Sequence, residues 1–241
     1  MDLSALGLHA SLGQAAFWGA ALRIMVINIL LSGDNAVVIA MACRGLPHRQ
    51  RLWGMVIGAG LAVVLLIVFT GAVAELMELP YLKAAGGLAL LYIATKLLLP
   101  EAADETDVQA EAHLWRAVRI VVVADIIMSL DNIIAVATAA EGNLVLIIIG
   151  LTVSIPIIIA GAALIMALLD HLPILVWIGA ASLGWVAGEA VVSDKAVAPA
   201  LVAAFGNALA RDLHWAVCAA AAVLVLVAGG LWRRHLMKVR P

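Results

Sequence analysis

Two short polar motifs stand inside apolar stretches of the chain: Ser-Gly-Asp-Asn at Ser32 to Asn35 and Ser-Leu-Asp-Asn at Ser129 to Asn132. The first lies in Arg23–Ala42 and the second in Ile120–Ala139. A shift of 97 positions lays Asn28 on Asp125, Ser32 on Ser129, Asp34 on Asp131 and Asn35 on Asn132. Residues three, four and seven apart share one face of a helix. Asp125, Ser129 and Asn132 therefore line one stripe, and Asn28, Ser32 and Asn35 line its counterpart. Asp34 and Asp131 fall off the stripes, free to face a neighbouring unit. Carboxylates, carboxamides and hydroxyls without His or Cys suit a hard divalent cation, Mg²⁺, Ca²⁺ or Mn²⁺. Three aspartates in oil leave an empty site strongly anionic, so an ion or protons must compensate, and proton-coupled exchange follows as a hypothesis. The bland alternative is Asp–Asn hydrogen bonding that glues helices together.

The surroundings explain why such groups are costly. Of 241 residues, 66% are hydrophobic and 12% charged, and mean hydropathy is +1.14. Soluble chains are about half apolar and a quarter charged, so this is an integral membrane protein. A span takes about 20 apolar residues, and seven stretches qualify: Ala15–Ala42, Leu52–Ala74, Leu79–Leu99, Ala117–Ala140, Leu144–Leu168, Leu172–Val192 and Trp215–Trp232. Backbone amides in hydrocarbon must pair within their own segment, and strict alternation is missing, so the expected class is all-α with seven transmembrane helices.

A second echo extends the first. Leu79–Lys96 matches Leu172–Glu189 at a shift of 93, aligning Pro80 with Pro173, Gly86 with Gly179 and Lys96 with Glu189. Gly58 and Gly150 stand early in the two middle helices. The chain reads as two three-helix repeats, 1–99 and 117–192, joined by an acidic cytoplasmic linker, 100–116. An outer connecting segment, 193–213, leads to a seventh helix with a basic tail, 214–241. Three spans per unit force the second repeat upside down, a symmetry that transporters use to build a site near the midplane.

Loops assigned alternately to two sides put nine basic residues on one and three, Lys83, Lys195 and Arg211, on the other. The positive-inside rule makes the first side cytoplasmic, with the N-terminus outside and the C-terminus inside the plasma (inner) membrane. No basic patch precedes the first apolar run, so no cleaved signal peptide is expected. Cys43 and Cys218 read as small buried hydrophobes. Ala196–Ala210, interrupted by Pro199 and Gly206, is too short to span and reads as interfacial or re-entrant. Pro156 frees the Thr152 carbonyl, and with the Thr152 and Ser154 hydroxyls it adds oxygens at membrane depth, although a kink serving packing alone is the simpler account. Arg23 and Glu189 lie at similar depth, which allows an ion pair. For Lys96 the open alternatives are snorkelling, neutralising Asp34, or a gate or proton role, the last shared with Glu189.

The stretches Leu30–Ala42, Asp125–Ala137 and Gly86–Lys96 resemble the TerC family of integral membrane proteins, in particular its short, YjbE-type branch. The doubled S-x-D-N motif is the specific part of that likeness. The resemblance implies seven spans and Mn²⁺ export, with Asp34, Asn35, Asp125, Asp131 and Asn132 as the metal site. Relatives often carry an acid where this chain has Asn28, so the first half-site is one charge short. Tellurium oxyanions, which the family name evokes, fit badly, because anions want Arg, Lys or helix N-termini.

The expectation is a secondary transporter exporting Mn²⁺, with Ca²⁺ and Mg²⁺ as competing ions. Asp34, Asp125 and Asp131 are the expected ligands, and Asn28, Ser32, Ser129 and Thr152 support them. The alternative is a membrane partner of the secretion machinery that helps load metal onto exported enzymes. No catalytic set stands out, so no enzyme activity and no resident cofactor are expected. The expected partners are the ion and the lipid bilayer, not nucleic acid, and homo-oligomerisation is left open.

Overall fold

A computed structural model describes residues 15–99, 107–140 and 143–239, with side chains described at 17–70, 79–99, 113–129, 132–140 and 143–235. The described residues are helical with short turns and contain no strand: α1 (Ala15–Leu31), α2 (Gly33–Cys43), α3 (His48–Glu78), α4 (Leu82–Leu97), α5 (Asp107–Ala139), α6 (Leu144–His171), α7 (Ile174–Val192) and α8 (Val197–Val239). α3, α6, α7 and α8 are each long and apolar enough to cross a membrane. Two bent pairs qualify as one crossing each. α1 and α2 meet at 56°, and within α5 the segments His113–Ser129 and Asn132–Ala139 meet at 66°.

The count of four to six spans falls short of the seven expected, and α4 is the reason. Tyr81 takes a left-handed conformation, φ 64°, that delays the helix start, so only 16 residues remain. These rise ~24 Å, less than a ~30 Å hydrocarbon core. Of the expected linker, residues 107–116 are the opening turns of α5, and 100–106 lie outside the described residues.

Helix surfaces are apolar on both sides of the wall. Leu22, Leu30, Val64, Leu164, Val223 and Leu231 are among many large hydrophobics left exposed, as lipid-facing helices require. Trp18, Trp53, Trp115, Trp215, Trp232 and Tyr81 are exposed as well, as suits amphipathic rings that anchor a membrane protein at its interfaces.

Inside, the core divides into two apolar clusters. One gathers Phe17, Ile24, Leu66, Ile133, Val136 and Ile147; the other gathers Ile39, Met41, Met55, Val121, Ala162 and Leu183. Along α1–α2, α5 and α6, the chain passes from one cluster to the other at Asn28–Asn35, Asp125–Ser129 and Ser154. All six stripe and hydroxyl positions concerned are buried, and they form a polar layer between two oily ones.

Small residues set the helix spacing. Gly58 faces Val121 and Gly150 faces Ile24, and Val121 corresponds to Ile24 under the motif shift of 97. Gly86 faces Ile127, and its counterpart Gly179 faces Met41 and Val37. Each of these four glycines thus meets the motif helix of the opposite unit. α4 packs along α7, with Gly87 against the Ala187 carbonyl, and α8 covers α7 at Gly184 and Gly188. Cys43 and Cys218 are free thiols, both buried as expected.

The turns are braced at both ends. Arg51 forms an ion pair with Asp170 Oδ2 at 2.9 Å and donates to the carbonyls of Leu46 (3.0 Å) and Arg44 (2.9 Å). At the opposite end Asp194 Oδ1 accepts from Tyr81 N at 3.0 Å and Ala196 N at 2.8 Å, while Oδ2 accepts from Ala84 N at 3.1 Å. Asp194 is 1% exposed. Burial pushes its carboxyl up, but the N–H groups of Ala196, Ala84, Tyr81 and Val197 outweigh that and hold it below the usual carboxylate range.

Candidate metal centre

The break between α1 and α2 is built by short-range chemistry. Gly33 and Asp34 are poor interior helix residues. Among the described residues here, the backbone bonds from Ser32 N to Asn28 O (2.8 Å) and from Ala36 N to Ser32 O (3.2 Å) persist, but none from Gly33, Asp34 or Asn35 returns four residues back. Instead the N–H of Asn35 donates to Asp34 Oδ1 at 3.0 Å. The Leu31 carbonyl, deprived of its usual donor, accepts from Asn132 Nδ2 at 3.3 Å. The first motif thus opens its own helix, and the second motif caps the frayed end.

Below that break a small cavity of about 20 Å³ is lined by Asn28, Ser32, Asn35, Asp125 and Ser129 on its polar side. Ile39, Ala59, Ala62, Val63, Leu66 and Ile158 close the rest. The volume suits one water or one bare ion. Asn35 Nδ2 donates to Asp125 Oδ1 at 2.7 Å and ties the two motif helices together. Ser129, one turn along α5, lies within hydrogen-bonding reach of the same carboxylate. On the other flank Asn28 Nδ2 donates to Ser154 Oγ at 2.7 Å, and Ser32 Oγ donates to Asn28 Oδ1 at 3.4 Å. At the cavity, Asn35 Oδ1 is buried without a donor among the described residues. A carbonyl oxygen in that state costs about 1–3 kcal/mol, a deficit that a cation would remove.

The stripe residues Asn28, Ser32, Asn35, Asp125 and Ser129 therefore converge as their spacing predicted. Asp34 does not line the cavity; its carboxylate is turned to the Asn35 N–H, within electrostatic reach of Asp125 and Glu189. Asn132 is engaged at the helix break rather than at the cavity. The Asp131 side chain lies outside the described residues. Among the described residues no three carboxylate, imidazole or thiol groups come together, so the donor set around the cavity is one carboxylate with neutral oxygens.

Three further expectations change. Thr152 is exposed on the outer wall of α6, and Ser154, fully buried, supplies the hydroxyl. The two positions differ by 200° around the helix, so the buried one is decided by how α6 seats against α1. Arg23 and Glu189 do not form the allowed ion pair. Arg23 lies on the exposed face of α1, which packs against α6, while Glu189 is exposed on α7. Lys96 stacks over the Tyr92 ring at 5.7 Å and borders a second small cavity with Arg44 and Met41; it makes no ion pair with Asp34. Asp194 was missed, because nothing near it in the chain distinguishes it from an ordinary loop acid.

An all-helical membrane wall with a buried carboxylate–carboxamide pair at the seam of two echoing motifs defines a polytopic integral membrane protein. The chain belongs to the TerC family of integral membrane proteins, whose model matches residues 13–236. It is 45% identical to the membrane protein YjbE of Bacillus subtilis over 174 residues, 72% of this chain and 79% of that protein. It is 28% identical to YceF of the same organism over 165 residues, 65% of this chain and 64% of that protein. No solved structure matches the chain.

Proposed function

We propose that this protein is a secondary transporter that exports a hard divalent cation, Mn²⁺ first and Ca²⁺ or Mg²⁺ as competitors, through the cavity between the two motifs. The observation that carries the reading is the buried Asn35 Oδ1, without a donor among the described residues, beside Asp125. One carboxylate, one orphan carbonyl and the Ser32 and Ser129 hydroxyls make an all-oxygen set of the kind Mn²⁺, Ca²⁺ and Mg²⁺ accept. Asp34, within electrostatic reach of Asp125, supplies a second negative charge beside the path, and Asp131 is its counterpart on the other motif.

The architecture that goes with this reading has seven spans, with α4 as a short one and each bent pair as one crossing. The glycine contacts support a repeat of two units, since Gly58 on Val121 and Gly150 on Ile24 are reciprocal: the middle helix of each unit meets the motif helix of the other. The basic rim around Arg44, Arg51 and Arg233 faces the cytoplasm of a plasma membrane, which puts the N-terminus outside and the C-terminus inside. Alternating movement of the two units would open the polar layer first to one apolar cluster's side, then to the other's.

The test is Mn²⁺ flux by the purified chain in liposomes. Asp125→Asn and Asn35→Ala are expected to lower flux about 10- to 100-fold while thermal unfolding stays cooperative. Wild-type flux in both variants overturns the site. A folded wild-type protein that moves no Mn²⁺ overturns transport and favours the secretion-partner role.

A further inference from the structure

Away from the motifs, a trough of about 470 Å³ lies between the start of α7 and the end of α8. Its apolar wall is Leu226, Val227 and Leu231, of which Val227 and Leu231 are exposed. Its floor is Gly230, where a β-carbon would meet the Trp177 ring edge at 3.6 Å, ordinary van der Waals contact. Its rim is cationic. Arg233 stands 5.9 Å over the Trp177 ring, and Arg234 follows it. Neither guanidinium meets a carboxylate among the described residues.

We propose that this trough holds one anionic phospholipid, its phosphate on Arg233 and Arg234 and an acyl chain along Val227 and Leu231. Guanidinium groups match phosphate geometry with paired N–H donors. Stacking on Trp177 holds the Arg233 head in place. Both arginines sit at the end of an apolar helix, where headgroups lie, and basic pockets between transmembrane helices on one membrane face are suited to such lipids. A soluble phosphate would satisfy the rim but leave the exposed apolar wall uncovered. That wall decides for lipid.

The experiment titrates the detergent-purified full chain with phosphatidylglycerol, phosphatidylcholine or inorganic phosphate and follows the thermal midpoint. Phosphatidylglycerol is expected to raise it by about 5 °C at saturation, and the other two are expected to leave it unchanged. The double variant Arg233→Gln/Arg234→Gln should lose the shift, measured against its own lipid-free midpoint. Gly230→Leu, which fills the trough and keeps both charges, should lose at least half of it. Arg211→Gln, a basic residue elsewhere on α8, should keep it. A shift that survives the double variant or Gly230→Leu overturns the proposal, as does an equal response to phosphatidylcholine or inorganic phosphate.

Discussion

Ser154 Oγ accepts a 2.7 Å hydrogen bond from the Asn28 amide and donates one of the same length to the Leu151 carbonyl. This relay is the described side-chain bond between α1 and α6 within the polar layer. Ser154→Ala leaves the Asn28 amide buried with one donor unmet, at a cost of about 1–3 kcal/mol. Thr152→Ala, on the exposed wall, should stay within about 0.5 kcal/mol. Chemical unfolding in mild detergent separates the two, and equal losses would refute the placement.

Gly150 has no room for a methyl group. A β-carbon there would sit 2.6 Å from Ile24 Cγ2 and 3.2 Å from the Ala21 carbonyl oxygen. Gly150→Ala should therefore destabilise by about 1–3 kcal/mol. Gly58→Ala, at 3.1 Å from Val121 Cγ1, should cost less. Gly60→Ala meets open space and should be neutral or stabilising by up to about 1 kcal/mol. Thermal midpoints in one detergent are expected to rank Gly60→Ala above Gly58→Ala above Gly150→Ala.

Arg51 does more through carbonyls than through charge. Its Asp170 partner is 44% exposed, so that pair alone contributes at most about 1 kcal/mol. Asp170→Asn should thus be mild. Arg51→Ala also strips the donors from Arg44 O and Leu46 O, and should cost about 1–3 kcal/mol. Comparable losses in the two variants would show that the ion pair, not the turn, matters.

Asp194 predicts an acid limit to stability. Its folded carboxyl is held below the usual range, while the unfolded one titrates near ~3.9. The stabilisation is therefore fully present above that unfolded value and drains away as pH falls through the folded one. Asp194→Asn should lower the midpoint at neutral pH and flatten its decline below about pH 4. An unchanged slope in the variant would mean that other carboxyl groups set the limit.

The chemistry was legible where a period governs it. Spacing of three, four and seven placed Asn28, Ser32, Asn35, Asp125 and Ser129 on facing stripes, and packing joined the stripes at one cavity. Angular position between non-adjacent helices was not legible. Depth alone made Arg23 and Glu189 look like neighbours, yet they project from helices that turn to different partners. The same gap chose Ser154 over Thr152. Asp194 is harder still, because its burial follows from two turns more than a hundred residues apart closing on it. For α4, composition predicted a full span, but a single left-handed residue at Tyr81 shortened the helix.

Gly206 sits inside α8 at φ 75° and ψ 164°, a combination open almost only to glycine. Straight, the 43 residues of α8 would reach ~65 Å, about twice what a bilayer's oily slab can hold. The kink lets the first two turns and the long shaft go separate ways, and residues 202–209 around it are exposed. A side chain at that corner would strain the backbone that turns there, so the bend that keeps a 43-residue greasy rod from running straight through its membrane is built on the one residue that has none.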